Sequence, residues 1–408
     1  MFNLILMVGT LFPTTPSQLA GEWPGILGHD GSLTSSNPIE FLFPASPVQT
    51  LWKKNVGKGY SGPVSSGGKV VLFHRIENQE VVEAYLIENG QKLWSSNWET
   101  SYSDDYGKGD GPRATPLLVD DFVIVYSPDG VLRALDLKSG VLKWKKNISG
   151  SVNAKRPFFG FGASPACIDG VLVLNAGGIN AGIVGISPKD GDIIWRQTNH
   201  PPGYATAIGC GDGNAAVFTR DGIAIVKAKT GDLTFEKRWR SRQEASVNAA
   251  SPLKWSQGLL FTASYGTGCI SLRHHKGKWE EAWSSDEVLS SHFVTPVHLN
   301  GLVVGFHGRQ EQGTELRCID PGSGKVYWKK DGVGGGWVGV VGEHVVLLRE
   351  DGILSVFMPS RSGIQELVSI QVFKGPCWSP CAIAGGVLLA RDGQELKAIR
   401  LGKIRANP

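Results

Sequence analysis

A chain of 408 residues with 54 Gly, 22 Pro and 13 Trp against 3 Met, and with 41% hydrophobic residues, is too apolar for a disordered protein and fits an all-β fold with many turns. Its net charge of +4 comes without any long basic run or basic helix, which argues against nucleic-acid binding by phosphate neutralisation. The six Cys form no CxxC pair and none has a His at zinc-like spacing, so they read as buried free thiols; only Cys377 and Cys381 are close enough in sequence to make a disulfide plausible.

The first twenty residues, Met1 to Ala20, open with an apolar run of 11 residues followed by a Pro/Thr/Ser stretch, the pattern of a signal peptide, and the run is too short to span a bilayer. Residues 21–50 form a lead-in segment that ends at the short strand around Trp52. From there the chain repeats one unit, clearest in Ala114 to Trp144. That unit holds four short apolar runs, separated by Asp120-Asp121, by Pro128-Asp129-Gly130 and by Lys138-Ser139-Gly140, which predicts an antiparallel meander of four strands. First strands open near Pro63, Pro116, Pro165, Ala207, Pro252, Pro296, Val340 and Pro380, which makes eight units spaced 40 to 53 residues apart.

The fourth strand repeats Gly-x-x-x-Trp at Gly90/Trp94, Gly140/Trp144, Gly191/Trp195 and Gly324/Trp328. A Trp recurring in this way predicts packing between neighbouring sheets rather than a ligand site. The last unit, Trp378 to Leu401, has three strands and no closing Trp, while Trp52 has a closing strand and no unit before it. The expectation is an all-β, eight-bladed β-propeller spanning residues 51–402, with four-stranded antiparallel blades, closed by the N-terminal strand around Trp52 completing the last blade; residues 403–408 are left as a tail.

The segments LRALDLKSGVLKW, LRCIDPGSGKVYW and AYLIENGQKLW resemble the pyrroloquinoline-quinone (PQQ) repeat of bacterial eight-bladed propellers, and EWPGILGHDGS is similar to the segment preceding the propeller in exported proteins of that class. The resemblance covers residues 23 to 402. It implies the fold and leaves the activity open, because the repeat occurs both in quinone-dependent dehydrogenases and in a scaffolding lipoprotein of outer-membrane assembly. Those enzymes place an adjacent Cys-Cys disulfide and a Trp against the quinone, with a Ca²⁺ held by Glu, Asn and Asp and an Asp base. This chain has no adjacent Cys pair, nor does it have a nucleophile elbow, HExxH or P-loop.

In a propeller the residues just before the innermost strands ring the mouth of the channel. Counting three residues back from each strand marker, with immediate neighbours, gives a candidate binding ring of Tyr60, Arg113, Phe161, Tyr204, Asn248, His292, Phe293, Trp337 and Trp378. Arg113 would pair an anion and the aromatics would stack on a planar ligand or a partner's loop. Asp104, Asp105 and Asp110 cluster in one connection as a weak Ca²⁺ candidate without EF-hand spacing. The expected protein is a non-catalytic, exported (periplasmic or secreted) propeller, a monomer by preference, without a cofactor, a transmembrane span or a nucleic-acid partner. It would engage a protein or cell-envelope component; a divergent dehydrogenase using PQQ with Ca²⁺ is the alternative.

Overall fold

The unit Ala114 to Trp144 folds as an antiparallel sheet of Leu117–Val119, Phe122–Tyr126, Val131–Asp136 and Leu142–Asn147. In the computed structural model, which describes residues 22–35, 37, 39–43 and 48–404, this blade is one of eight four-stranded sheets. The proposed signal peptide lies outside the described residues. Innermost strands of the first seven blades touch in sequence, and that of the first blade, Val64–Ser66, also touches that of the last, Ala382–Ala384. Gln49–Asn55 is hydrogen-bonded alongside Glu395–Arg400 as the fourth strand of the last sheet, with Trp52 opposite Ala398. Outside it, Ile39–Phe41 of the lead-in pairs with Gly402–Ile404, so residues 403 and 404 belong to a strand. Among the described residues the helical content is one turn at Ile148–Ser151 and a 3₁₀ turn at Gln310–Gln312, and no helix is long and apolar enough to cross a membrane.

The closing-strand tryptophans explain how the blades hold together. Each indole N–H donates to a carbonyl of the next blade: Trp52 to Ile87 (2.7 Å), Trp94 to Leu137 (3.1 Å), Trp144 to Pro188 (3.0 Å), Trp195 to Ala228 (2.8 Å), Trp283 to Pro321 (3.0 Å) and Trp328 to Ser360 (2.8 Å). In the first five of these joints the ring lies over the glycine of the next blade's last turn; Gly363, after Trp328, is not covered. A Cβ on Gly140, at φ +74°, would stand 2.4 Å from Trp94 Cε3, and one on Gly191 would stand 2.6 Å from Trp144 Cε3. At Gly90/Trp94, Gly140/Trp144 and Gly191/Trp195 the motif is therefore half of two joints, its Gly receiving the preceding blade's Trp while its own Trp covers the following Gly.

A second set of joints runs around the channel. The second residue before the innermost strand carries a hydroxyl in several blades, and it accepts from the matching backbone N–H of the blade before: Gly62 N to Thr115 Oγ1 (3.0 Å), Thr115 N to Ser164 Oγ (2.9 Å), Thr206 N to Ser251 Oγ (3.0 Å) and Ser251 N to Thr295 Oγ1 (2.9 Å). These buried amides would otherwise be orphaned, because an innermost strand has no sheet neighbour on its channel side.

One end of the channel is closed by the chain itself. Trp23 pairs with Ser65 of the first blade, Pro24 O accepts from Leu118 N of the second (2.7 Å), Gly31 lies against Ile208 of the fourth, and Leu33 and Ser35 bond Val340 of the seventh (2.8 Å each). Residues 22–35 thus cross the opening on the side of the first-hairpin turns, with Glu22 Oε1 accepting from Gly67 N. Trp23 is fully buried and meets Trp337 edge-on, ring centroids 6.0 Å apart. The lead-in is a plug that joins four blades at once.

Candidate binding face

The opposite end of the channel carries the loops that precede the innermost strands. Arg113 is central to it. Its guanidinium lies between the rings of Tyr60 (5.4 Å) and Phe159 (5.6 Å) and is ion-paired at 3.3 Å with Asp104, whose carboxylate is buried. Tyr60 continues to Trp378, 6.1 Å away, and Phe159 continues to Tyr106 (5.5 Å) and Tyr204 (6.1 Å). Tyr106 also meets Phe158 at 5.7 Å, and Arg220 sits over Phe158 at 5.1 Å. The result is a continuous belt of alternating aromatic and arginine side chains, in which each cation is held on a π face. Within it Tyr106 and Trp378 are 53% and 49% exposed.

Tyr204 anchors the belt from below: its hydroxyl accepts from Phe159 N at 2.9 Å, and burial pushes its phenol up to about 12. A second, smaller cluster holds His292 and Phe293. Arg309 stacks on Tyr265 at 4.5 Å, and His292 lies between the Tyr265 hydroxyl (Nε2, 2.8 Å) and Gln310 Oε1 (Nδ1, 3.0 Å). An amide oxygen only accepts, so Nδ1 carries the proton and Nε2 accepts from the tyrosine. Phe293 packs on that imidazole at 5.3 Å and is itself 40% exposed.

The structure brings together Tyr60, Arg113, Tyr204 and Trp378, and separately His292 and Phe293. It moves three ring candidates into the interior. Phe161 is 4% exposed and packs on Tyr126 beneath the second hairpin of its neighbour blade. Asn248 is buried because its amide donates to Thr219 O at 2.8 Å and Arg220 O at 3.4 Å. Trp337 is buried because the seventh blade's innermost strand, Gly336–Val341, begins earlier than its Val340 marker implied. Counted back from the Gly342 turn, Trp337 falls in the place that Thr115 and Ser164 hold in their blades, and its side chain enters the channel instead of the mouth. The same count from the last blade's turn makes Trp378, not Cys377, its mouth residue.

Phe158, Phe159, Tyr106, Tyr265 and Arg309 were missed. Only the aromatic density of the segment around Phe158 signalled them. Arginines ending the second strands clamp the loops that carry these rings: Arg75 Nη1 donates to Tyr102 O (2.6 Å) and Asp110 O (3.1 Å), and Arg220 donates to the Ser246 and Glu244 carbonyls. The three carboxylates of the Ca²⁺ candidate are each engaged by a different partner. Asp104 faces Arg113 and accepts from Lys108 N, Asp110 accepts from Asp104 N at 2.9 Å, and Asp105 points outward to Arg156. Among the described residues no three His, Cys, Asp or Glu side chains converge on a metal position. Cys377 and Cys381 are both buried as free thiols.

Burial lowers the pKa of His292, His298 and His307, the last to about 4, where Arg317 adds to the effect. Each of these residues binds a proton more readily in the unfolded chain, so the stability it contributes is full above the ordinary histidine value of 6.5 and falls as pH drops toward 4. Thermal unfolding should therefore occur at lower temperature as the solution is acidified through that window, and His307→Gln should flatten the dependence. An unfolding temperature that rises on acidification would contradict the sign.

A closed ring of eight blades, joined by Trp-on-Gly contacts and crossed at one end by its own lead-in segment, defines an eight-bladed propeller of the PQQ-repeat class. The sequence model of the family described as outer membrane protein assembly factor BamB matches residues 77–330, and the chain belongs to that family. The outer membrane protein assembly factor BamB of Yersinia pestis is 26% identical over 250 residues, 60% of this chain and 58% of that protein; the BamB of Moranella endobia is 23% identical over 301 residues, 70% and 71% of the two. This chain thus aligns with less than two thirds of the Yersinia protein. Among solved structures, BamB from Moraxella catarrhalis superposes with a TM-score of 0.65 at 14% identity (89% of this chain, 100% of that one). Quinohemoprotein alcohol dehydrogenase from Comamonas testosteroni superposes with 0.66 at 13% identity (95% and 81%). At these identities the likeness is one of fold, and it is equal for a scaffold and an enzyme.

The residues do not fit the quinone. Trp23 and Trp337 pack on each other in the interior, and the chain has no adjacent Cys pair to lie against a quinone.

Proposed function

We propose that the protein is a non-catalytic, cofactor-free propeller of the cell envelope that docks a protein partner, a component of outer-membrane assembly, on its aromatic–arginine face. The observation that carries this reading is the belt itself. Trp378, Tyr60, Arg113, Phe159 and Tyr106 form one surface in which the exposed rings of Trp378 and Tyr106 flank half-buried rings stacked on Arg113, the composition of an interface hot spot rather than of a solvated rim. Family membership supports a protein partner, and the apolar start of the chain supports export; the ring residues Tyr204, His292 and Phe293 extend the same face.

The test is affinity capture from an envelope fraction with the full chain as bait. A specific partner is expected, and its retention should fall about tenfold or more with Arg113→Ala or Trp378→Ala, each a change at an anchor of the belt. Lys229→Glu, on the fourth blade's last turn at the opposite end of the disc, should leave capture unchanged. Recovery that ignores both belt substitutions would sink this assignment of the face.

A further inference from the structure

Exposed large apolar side chains are few in this structure, and outside the aromatic face they concentrate in one place. Leu93 in the first blade, Val141 and Leu142 in the second, Ile194 in the third and Leu233 in the fourth are all more than a third exposed. They lie within the three residues before the anchoring ring, at the start of the closing strand, Leu142 and Leu233 being paired in the ladder and Leu93 and Ile194 not. Leu93 and Ile194 are the extra residue of a bulge: Trp94 pairs with Ala84 and Lys92 with Tyr85, and likewise Trp195 pairs with Gly185 and Ile193 with Ile186. A bulged residue cannot share the burial of its paired neighbours, so the joint that buries the Trp turns the residue beside it outward. Because consecutive blades are neighbours, the five side chains form an arc along the outer rim at the end of the disc opposite the aromatic face. In the fifth and seventh blades Glu281 and Glu366 stand in the position of Leu142.

The charge of the arc is as distinctive as its apolarity. Residues 136–146, 187–196 and 227–235, the last turns and first parts of the closing strands of the second to fourth blades, hold eight Lys or Arg against four Asp or Glu, a net +4 that equals the charge of the whole chain. Lys138, Lys145, Lys189, Arg196 and Lys229 are exposed, and Lys143 and Lys146 keep their ammoniums on Asp136 and Asp192 at the same edge. Nearer the channel, on the first-hairpin turns of these blades, stand Asp120, Asp121, Asp169 and Asp212. The acidic inner ring repels an anionic surface from the flat of the disc and leaves the outer rim as the contact.

We propose that this rim is a peripheral membrane-docking surface that rests on an anionic bilayer, with Val141, Leu142 and Ile194 entering the headgroup boundary and the lysines meeting lipid phosphates. Scattered aliphatics flanked by flexible ammoniums suit a fluid, negatively charged interface, where stems stay in the apolar layer and charges reach outward. Such docking would hold the aromatic face away from the membrane, free for a partner.

The experiment is flotation of the full chain with vesicles of phosphatidylcholine containing about one third phosphatidylglycerol, compared with phosphatidylcholine alone. Binding is expected to the anionic vesicles only and should weaken as salt is raised. The pair Val141→Glu with Ile194→Glu should lower it about tenfold or more while leaving the unfolding temperature unchanged, since both side chains are already exposed. Ile179→Glu should bind as the parent does. Failure to float with anionic vesicles, or flotation indifferent to the rim pair, overturns the proposal. So does a rim pair whose effect is to abolish self-association in sedimentation, which would make the arc an interface between copies, or to abolish partner capture without touching vesicle binding.

Discussion

Replacing Trp23 by alanine is expected to destabilise the fold by about 3–5 kcal/mol, the cost of truncating a fully buried tryptophan whose site cannot collapse. The size follows from what the ring touches. It lies edge-on to Trp337, and its backbone pairs with Ser65, so both the filling of the channel and the first of four blade contacts of the lead-in depend on it. Urea unfolding followed by tryptophan fluorescence and by circular dichroism measures the loss. A shift below about 1 kcal/mol would mean that residues 22–35 lie on the end of the disc without sealing it. Because the plug bridges the first, second, fourth and seventh blades, the substitution should also broaden the transition, as the blades lose a shared constraint.

Gly140→Ala is expected to cost about 2–4 kcal/mol, from overpacking and from a left-handed backbone together. The two causes can be separated within the same molecule. Gly170 has φ +81° with nothing within 4 Å of an added Cβ, whereas the Cβ at Gly140, φ +74°, would stand 2.4 Å from Trp94 Cε3 and 2.8 Å from Ser96 Oγ. Gly170→Ala should therefore show the backbone cost alone, about 1 kcal/mol, and the difference between the two is the worth of an undisturbed Trp-on-Gly joint. Equal losses at the two positions would show that the joint tolerates displacement of Trp94 and that the inter-blade contact is not rigid.

The joints themselves were legible because they are local and repeat. Gly140 and Trp144 sit four residues apart in one turn and strand, so their recurrence at Gly90/Trp94 and Gly191/Trp195 announces a shared geometry, and only the identity of each partner had to come from the fold. The mouth was less legible because its position is an offset from a strand start, and strand starts vary. A single early strand at Gly336–Val341 carried Trp337 from the supposed mouth into the channel, while the last blade's count placed its mouth residue at Trp378. Phe158, Tyr106 and Tyr265 escaped because they lie in connections of irregular length, where nothing periodic ties residue number to direction. The exposed arc escaped for a different reason: Leu142 and Ile194 look like core residues in an alternating strand until the bulge turns them outward.

Repetition of a four-strand pattern with in-phase turns determined the architecture from sequence alone, since each unit leaves two apolar faces that only its own copies can cover, and a missing closing strand at one end with a spare one at the other indicates a ring. What the channel contains, which rings meet on Arg113 and which aliphatics face outward were decided by the tertiary structure. Those properties depend on residues brought together from different blades, such as Trp23 and Trp337 or Tyr60 and Trp378, whose separation along the chain carries no information about their contact in space.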